Sequence, residues 1–168
     1  VSLLSDYNFD NFAISGDTYR GQLNKIRKGT YAYASTTGMT WEKLHPTHAI
    51  MISKTNDTKY MDCQQFIYDM IATIETTKGL GAIPIIATEY HVSGHDYTQT
   101  AFDYYAKKYG GYYVDLTERD YSLRGSKDYA PFWGGSHPGT RTNHLFSDVI
   151  TDYINKNLPR PYSSIKIF

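Results

Sequence analysis

The chain has 168 residues, with 17 Lys and Arg against 17 Asp and Glu and a formal net charge of zero. That length suits one domain with a real core rather than two ordinary ones, and the balanced charge gives no broad attraction to nucleic acid or to an anionic membrane. No stretch approaches the roughly 20 apolar residues of a membrane span, and Val1–Asp6 lacks the basic start and cleavage pattern of a signal peptide, so the chain reads as soluble.

The single cysteine, Cys63, cannot form an internal disulfide, and its place in an apolar helical pattern predicts a small buried side chain. Stability then rests on packing. Tyrosine is abundant, 17 residues against 7 Phe and 2 Trp. Such amphipathic rings suit half-buried surfaces and also faces that contact sugars or proteins.

Phe9 to Ser15 alternates enough to predict a strand ending at Gly16. Thr18 to Lys28 then has Leu23, Ile26 and Arg27 at helical spacing, with Gly29 as a stop. Thr30 to Pro46 has no sustained period and predicts a loop with a short helix before the next strand. His48 to Ser53 is apolar in the manner of a strand buried on both faces, and it leads directly to Asn56. Met61 to Lys78 places Ile67, Met70, Ile71 and Ile74 on one helical face and closes at Gly79 and Gly81.

Ile83 to Thr88 is the next strand. A helix from about Tyr97 to Tyr109 carries Ala101, Phe102, Tyr105 and Ala106, and Tyr112 to Leu116 is a further strand. Ser126 to Gly139 is an irregular loop. Thr142 to Asn157 then sets Leu145, Phe146, Val149, Ile150, Tyr153 and Ile154 on one stripe, predicted to pack on the sheet and anchor that loop. Strands alternating with helices imply a parallel sheet covered on both faces, with ligands beyond the carboxyl ends of the strands. Residues 1–160 are expected to form this domain, and 161–168 to begin a following segment or domain.

Three segments fall on or near that edge: Ile14-Ser15-Gly16-Asp17-Thr18, Lys54-Thr55-Asn56-Asp57 and Gly135-Ser136-His137-Pro138. Ester hydrolysis by a serine needs a base for its proton and donors for the developing oxyanion. His137 can be the base, because an imidazole titrates near neutrality. Asn56 can donate through its amide, and Gly16 through a backbone N–H with no side chain in the way. Each feature also has a plainer use: Asn56-Asp57 as a turn or helix cap, Gly16 as a tight strand-to-helix turn, His137 as a loop residue. Their occurrence together, in this order, favours the chemistry.

These blocks resemble those of the SGNH or GDSL hydrolases, a family of esterases, lipases and carbohydrate deacetylases on a flavodoxin-like sheet. Asn11 to Thr18 looks like the family's glycine block, Ile50 to Asp57 like its asparagine block, and Gly135 to Gly139 like its histidine block. The intervals, 40 residues from Gly16 to Asn56 and 81 from Asn56 to His137, are of the family's usual order. The resemblance implies a three-layer α/β fold with a parallel sheet, His137 as the catalytic base and Gly16 with Asn56 as the oxyanion hole. It implies no cofactor. The stretch from Gly135 to Asn143 is also similar to esterase domains of phage tail or baseplate proteins, which implies an acylated cell-surface or cell-wall glycan as substrate, a larger assembly, and a virion-tail or extracellular setting.

Two positions depart from the family pattern. The aspartate usual three residues before the histidine is Gly134 here, so His137 must use another acid, a backbone carbonyl, or nothing; Asp128, Asp115 and Glu89 are candidate acids, and none is assigned. No serine stands where the nucleophile block belongs, ahead of a helix and the strand leading to Gly16. The expectation is that the first strand and the nucleophile come from an upstream segment or a neighbouring chain, because an unfilled place in the sheet would orphan a ladder of buried backbone groups at about 1–3 kcal/mol each.

His91 and Trp133 are assigned to substrate binding. His91 and His95 lie four apart and His45 and His48 three apart, but the first pair lacks the Glu of a zinc-protease helix and holds a Gly between its members, so no metal is assigned. A non-catalytic carbohydrate- or receptor-binding module on the same fold, with the tyrosines and Trp41 or Trp133 as its platform, is the alternative.

Overall fold

The structure, a computed structural model, describes residues 17–28, 41–52, 57, 62–87, 97–116 and 140–158. In chain order the elements are α1 (Tyr19–Lys28), α2 (Trp41–Leu44), β1 (His48–Ile52), α3 (Cys63–Gly79), β2 (Ile83–Ala87), α4 (Tyr97–Tyr109), β3 (Tyr112–Val114) and α5 (Thr140–Asn157). Two compact units are present, Phe12–Thr117 and Val1–Asn11 with Glu118–Phe168. The expected strand from Phe9 to Ser15, and with it the pairing expected of a first strand, lies outside the described residues.

Within the first unit the strands form a parallel sheet in the order β1-β2-β3. Each connection carries a helix, as parallel neighbours require. Met51, Ile86 and Tyr113 share one row across the sheet, and Ile52, Ala87 and Val114 share the next, at the carboxyl edge. The first row faces the helices: Met51 and Ile86 join Tyr19 of α1, Phe66, Met70 and Ile74 of α3, and Phe102 and Ala106 of α4 in one buried cluster. Phe66 and Phe102 stack at 5.7 Å between ring centroids, and the Tyr19 ring lies 6.0 Å from Phe66 and 6.5 Å from Phe102. A satellite of Ile26, Trp41 and Ala82 closes the opposite end.

β2, paired on both edges, is buried on both faces from Pro84 to Ala87. β1 departs from the expectation of full burial. His48, Ala49 and Ile50 are half-buried and Ile52 is 42% exposed; among the described residues β1 pairs along one edge alone, with β2. Cys63 is likewise half-buried rather than buried, because it opens α3 beside the exposed Asp62.

The helix ends follow local chemistry. Thr18 caps α1, its hydroxyl accepting the Gly21 N–H at 3.1 Å and its carbonyl that of Gln22 at 2.9 Å. Asp62 caps α3 by accepting the Gln65 N–H at 2.8 Å. At its other end Gly81 takes a φ of +86°, with its N–H on the Lys78 carbonyl and that of Ala82 on the Thr77 carbonyl. That pair of bonds is the Schellman closure, whose left-handed residue favours glycine. In the second unit the α5 stripe is buried at Ile150 and Ile154 and half-buried at Leu145, Phe146, Val149 and Tyr153. No helix of the described residues is long and apolar enough to cross a membrane.

Burial at the head of β1 holds the His48 pKa below its ordinary 6.5, because the charged imidazolium loses water there. The folded chain thus binds fewer protons than the unfolded chain once the pH drops below 6.5. Stability from this group is intact above that pH and falls as acid is added, levelling off below the folded-state pKa. Urea titrations of wild type and His48→Gln between pH 7.5 and 5 should show a shallower loss in the variant, and parallel curves would exclude His48 as a source of the slope.

Candidate active site

The described residues nearest the expected donors are those of the head of α1 and Asp57, which follows β1 in the chain. β1 ends at Ile52, and five residues further on Asp57 is helical and fully buried. A buried carboxylate is tolerated only when hydrogen bonds replace its water. Asp57 Oδ1 accepts the backbone N–H of Tyr19 at 2.9 Å, 38 residues away in sequence. Asp57 is a helix cap, as one reading of its segment allowed, but the helix is α1 rather than its own.

The head of α1 is held from a second side by α3. Thr73 Oγ1 lies 3.1 Å from the Tyr19 carbonyl oxygen and 2.7 Å from that of Asp69, within the helix-type back-bond to residue i−4. Arg20 Nε donates to Asp69 Oδ2 at 2.9 Å, while Gln65 Nε2 donates to the other oxygen of the same buried carboxylate at 3.1 Å. Arg20 is half exposed, so its pairing keeps contact with water on one side and gives a modest net gain. Asp17 forms an ion pair with Lys25 across the first turns of α1. Gly21 makes room for it: a Cβ there would stand 2.0 Å from Asp17 Oδ1.

Gly16 and Asn56, the expected oxyanion donors, lie outside the described residues, as do His137, His91 and Trp133. Their chain neighbours Asp17 and Asp57 are described. The Asp57–Tyr19 bond brings residue 57, next to Asn56, against residue 19, three places after Gly16. The contact joins the last residue of the asparagine block to the residue just after the glycine block. Of the acids proposed to orient His137, Asp115 is described and exposed, one residue beyond the end of β3; Asp128 and Glu89 are not among the described residues.

At the head of α3, an open cleft of about 340 Å³ is lined by Asp62, Gln64, Gln65 and Tyr68. Tyr68 is 66% exposed. An exposed ring among amide and carboxylate groups offers a stacking face and hydrogen bonds to a polar ligand. Sequence periodicity places Tyr68 on the outer face of α3, but nothing local to it marks a cleft. Among the described residues no group of three His, Cys, Asp or Glu is placed to hold a metal.

No family model matches the chain, and no curated protein matches it in sequence. Solved structures do match in fold. The esterase EstA from Pseudoalteromonas sp. is 18% identical, with a TM-score of 0.65 over 85% of this chain and 74% of that one. A GDSL-like lipase from Bacteroides thetaiotaomicron is 16% identical, with a TM-score of 0.64 over 86% and 74%. Axe2, an acetylxylan esterase from Geobacillus stearothermophilus, is 16% identical, with a TM-score of 0.59 over 90% and 73%. The fold is therefore the three-layer α/β arrangement of the SGNH and GDSL esterases, as the sequence resemblance implied.

Proposed function

We propose that the chain is a serine acyl-ester hydrolase, a carbohydrate O-acetyl esterase or deacetylase acting on cell-surface or cell-wall polysaccharide. His137 takes the proton of the attacking serine and returns it to the departing alcohol. The Gly16 N–H and the Asn56 amide bind the oxyanion of each tetrahedral intermediate. Water then releases the acyl group by the same route. The serine is the one role that we assign to none of the 168 residues.

One observation supports this reading: on a fold like that of esterases, a hydrogen bond ties Asp57, the residue after Asn56, to Tyr19, three residues after Gly16. The polar, aromatic cleft at Asp62, Gln64, Gln65 and Tyr68 supports a glycan as the group carrying the ester. We place the domain in a larger surface-binding assembly of the phage tail or baseplate kind, on the likeness of Gly135 to Asn143.

The test is hydrolysis of 4-nitrophenyl acetate and of an acetylated xylooligosaccharide by the full-length polypeptide. Turnover of both, with acetate released from the sugar, is expected. Absence of turnover on either ester, with retention on an acetylated polysaccharide column, would replace the enzyme with the binding module, whose platform would include Tyr68 and the 58% exposed Tyr104.

A further inference from the structure

Two oxyanion donors act together only when both sit at hydrogen-bond distance from one developing charge, and an error near 1 Å in such a constellation lowers rates by about 100-fold. Here the assigned donors stand far apart in the sequence, Gly16 ahead of α1 and Asn56 after β1. Something must fix one stretch against the other. The Thr18 cap is not enough, since it serves Gly21 and Gln22 and leaves the Tyr19 N–H to a partner from elsewhere.

We infer that Asp57 is a positioning residue, whose carboxylate locks the chain at Asn56 against the head of α1 and so sets the spacing of the oxyanion donors. The inference rests on the esterase reading. The Tyr19 side of the contact cannot drift: the residue is fully buried, its N–H is held by Asp57 and its carbonyl by Thr73, while the next residue, Arg20, is tied to Asp69. The Asp57 side is equally confined, with no exposed surface. A charged acceptor strengthens the bond to the amide about twofold over a neutral one, which suits a contact that must hold geometry rather than merely fill space.

A purely structural carboxylate and a positioning one differ in their coupling to Asn56. Asp57→Ala, Asn56→Ala and the double variant should therefore be compared in the full-length polypeptide with 4-nitrophenyl acetate. Asp57→Ala is expected to lower kcat by about 10–100-fold with KM within a factor of about three. In the Asn56→Ala background the same change should lower kcat by less than about twofold, because the donor it positions is already gone. Asp57→Asn, which keeps an acceptor oxygen in the same place, should retain at least about a third of kcat. It carries the test if the alanine variant does not fold, its smaller loss again vanishing beside Asn56→Ala.

Multiplicative losses in the double variant, or a loss confined to KM, overturn the positioning role while leaving the esterase reading intact. A wild-type polypeptide without turnover overturns both.

Discussion

Replacement of His137 by alanine is expected to lower kcat for 4-nitrophenyl acetate by about 10²–10⁴-fold, the range general-base help supplies. A serine hydroxyl is a poor nucleophile until its proton has somewhere to go, and no other imidazole in the chain lies in a block of the hydrolase type. KM should change little, because the ring acts on the proton rather than on binding of the ester. Wild-type rates should rise with pH as the neutral form of the base is populated, and the variant should lack that rise. The oxyanion donors remain in the variant, so a residual rate above that of water is expected. Equal rates in the two proteins would remove His137 from the mechanism.

Phe66→Ala is expected to destabilise the fold by about 3–5 kcal/mol, the usual range for deleting a buried aromatic ring. The side chain is fully buried between α1 and α4, stacked on Phe102 and packed on Tyr19, so no single helix can move in to fill the space. Loss of the aromatic pairing adds roughly 0.5–1.5 kcal/mol to the area term within that range. A domain of ordinary stability holds only about 5–15 kcal/mol, so the variant loses a large part of its margin. Tyr68→Ala, two residues along the same helix and 66% exposed, should change stability by less than about 0.5 kcal/mol. Urea unfolding of the two variants separates core from surface, and a Phe66→Ala effect below about 1.5 kcal/mol would contradict the packing described.

The elements were legible where one residue type repeats at a clean period. The helix expected from Tyr97 to Tyr109 has those ends, and its Phe102 and Ala106 are buried as the spacing implies. α3 shows where periodicity stops informing. Its buried side includes Asp69, Thr73 and Thr77 alongside Ile67, Met70 and Ile74. Polar residues do not register in an apolar pattern, and two of these are accommodated by partners 49 and 54 residues away, Arg20 and the Tyr19 carbonyl. β1 misled in the opposite sense: its apolar run implied burial on both faces, yet His48, Ala49 and Ile50 are half-buried and Ile52 is exposed, and among the described residues it pairs along one edge alone. In the candidate site the motif blocks gave Gly16, Asn56 and His137 as an ordered set. They could not give the contact of Asp57 with Tyr19, because a side chain capping another helix leaves no local signature.

Helices that follow parallel strands begin at the same edge of the sheet, and each contributes roughly half a positive charge there from its unpaired amides. At α1 and α3 carboxylates stand on those ends. Asp57 stands on the first amide of α1, with Asp17 close by, and Asp62 stands on the first turn of α3. Their carboxylates offset the helix fields before any substrate arrives. An anion that approaches the head of α1 or of α3 therefore gains little from the helix field.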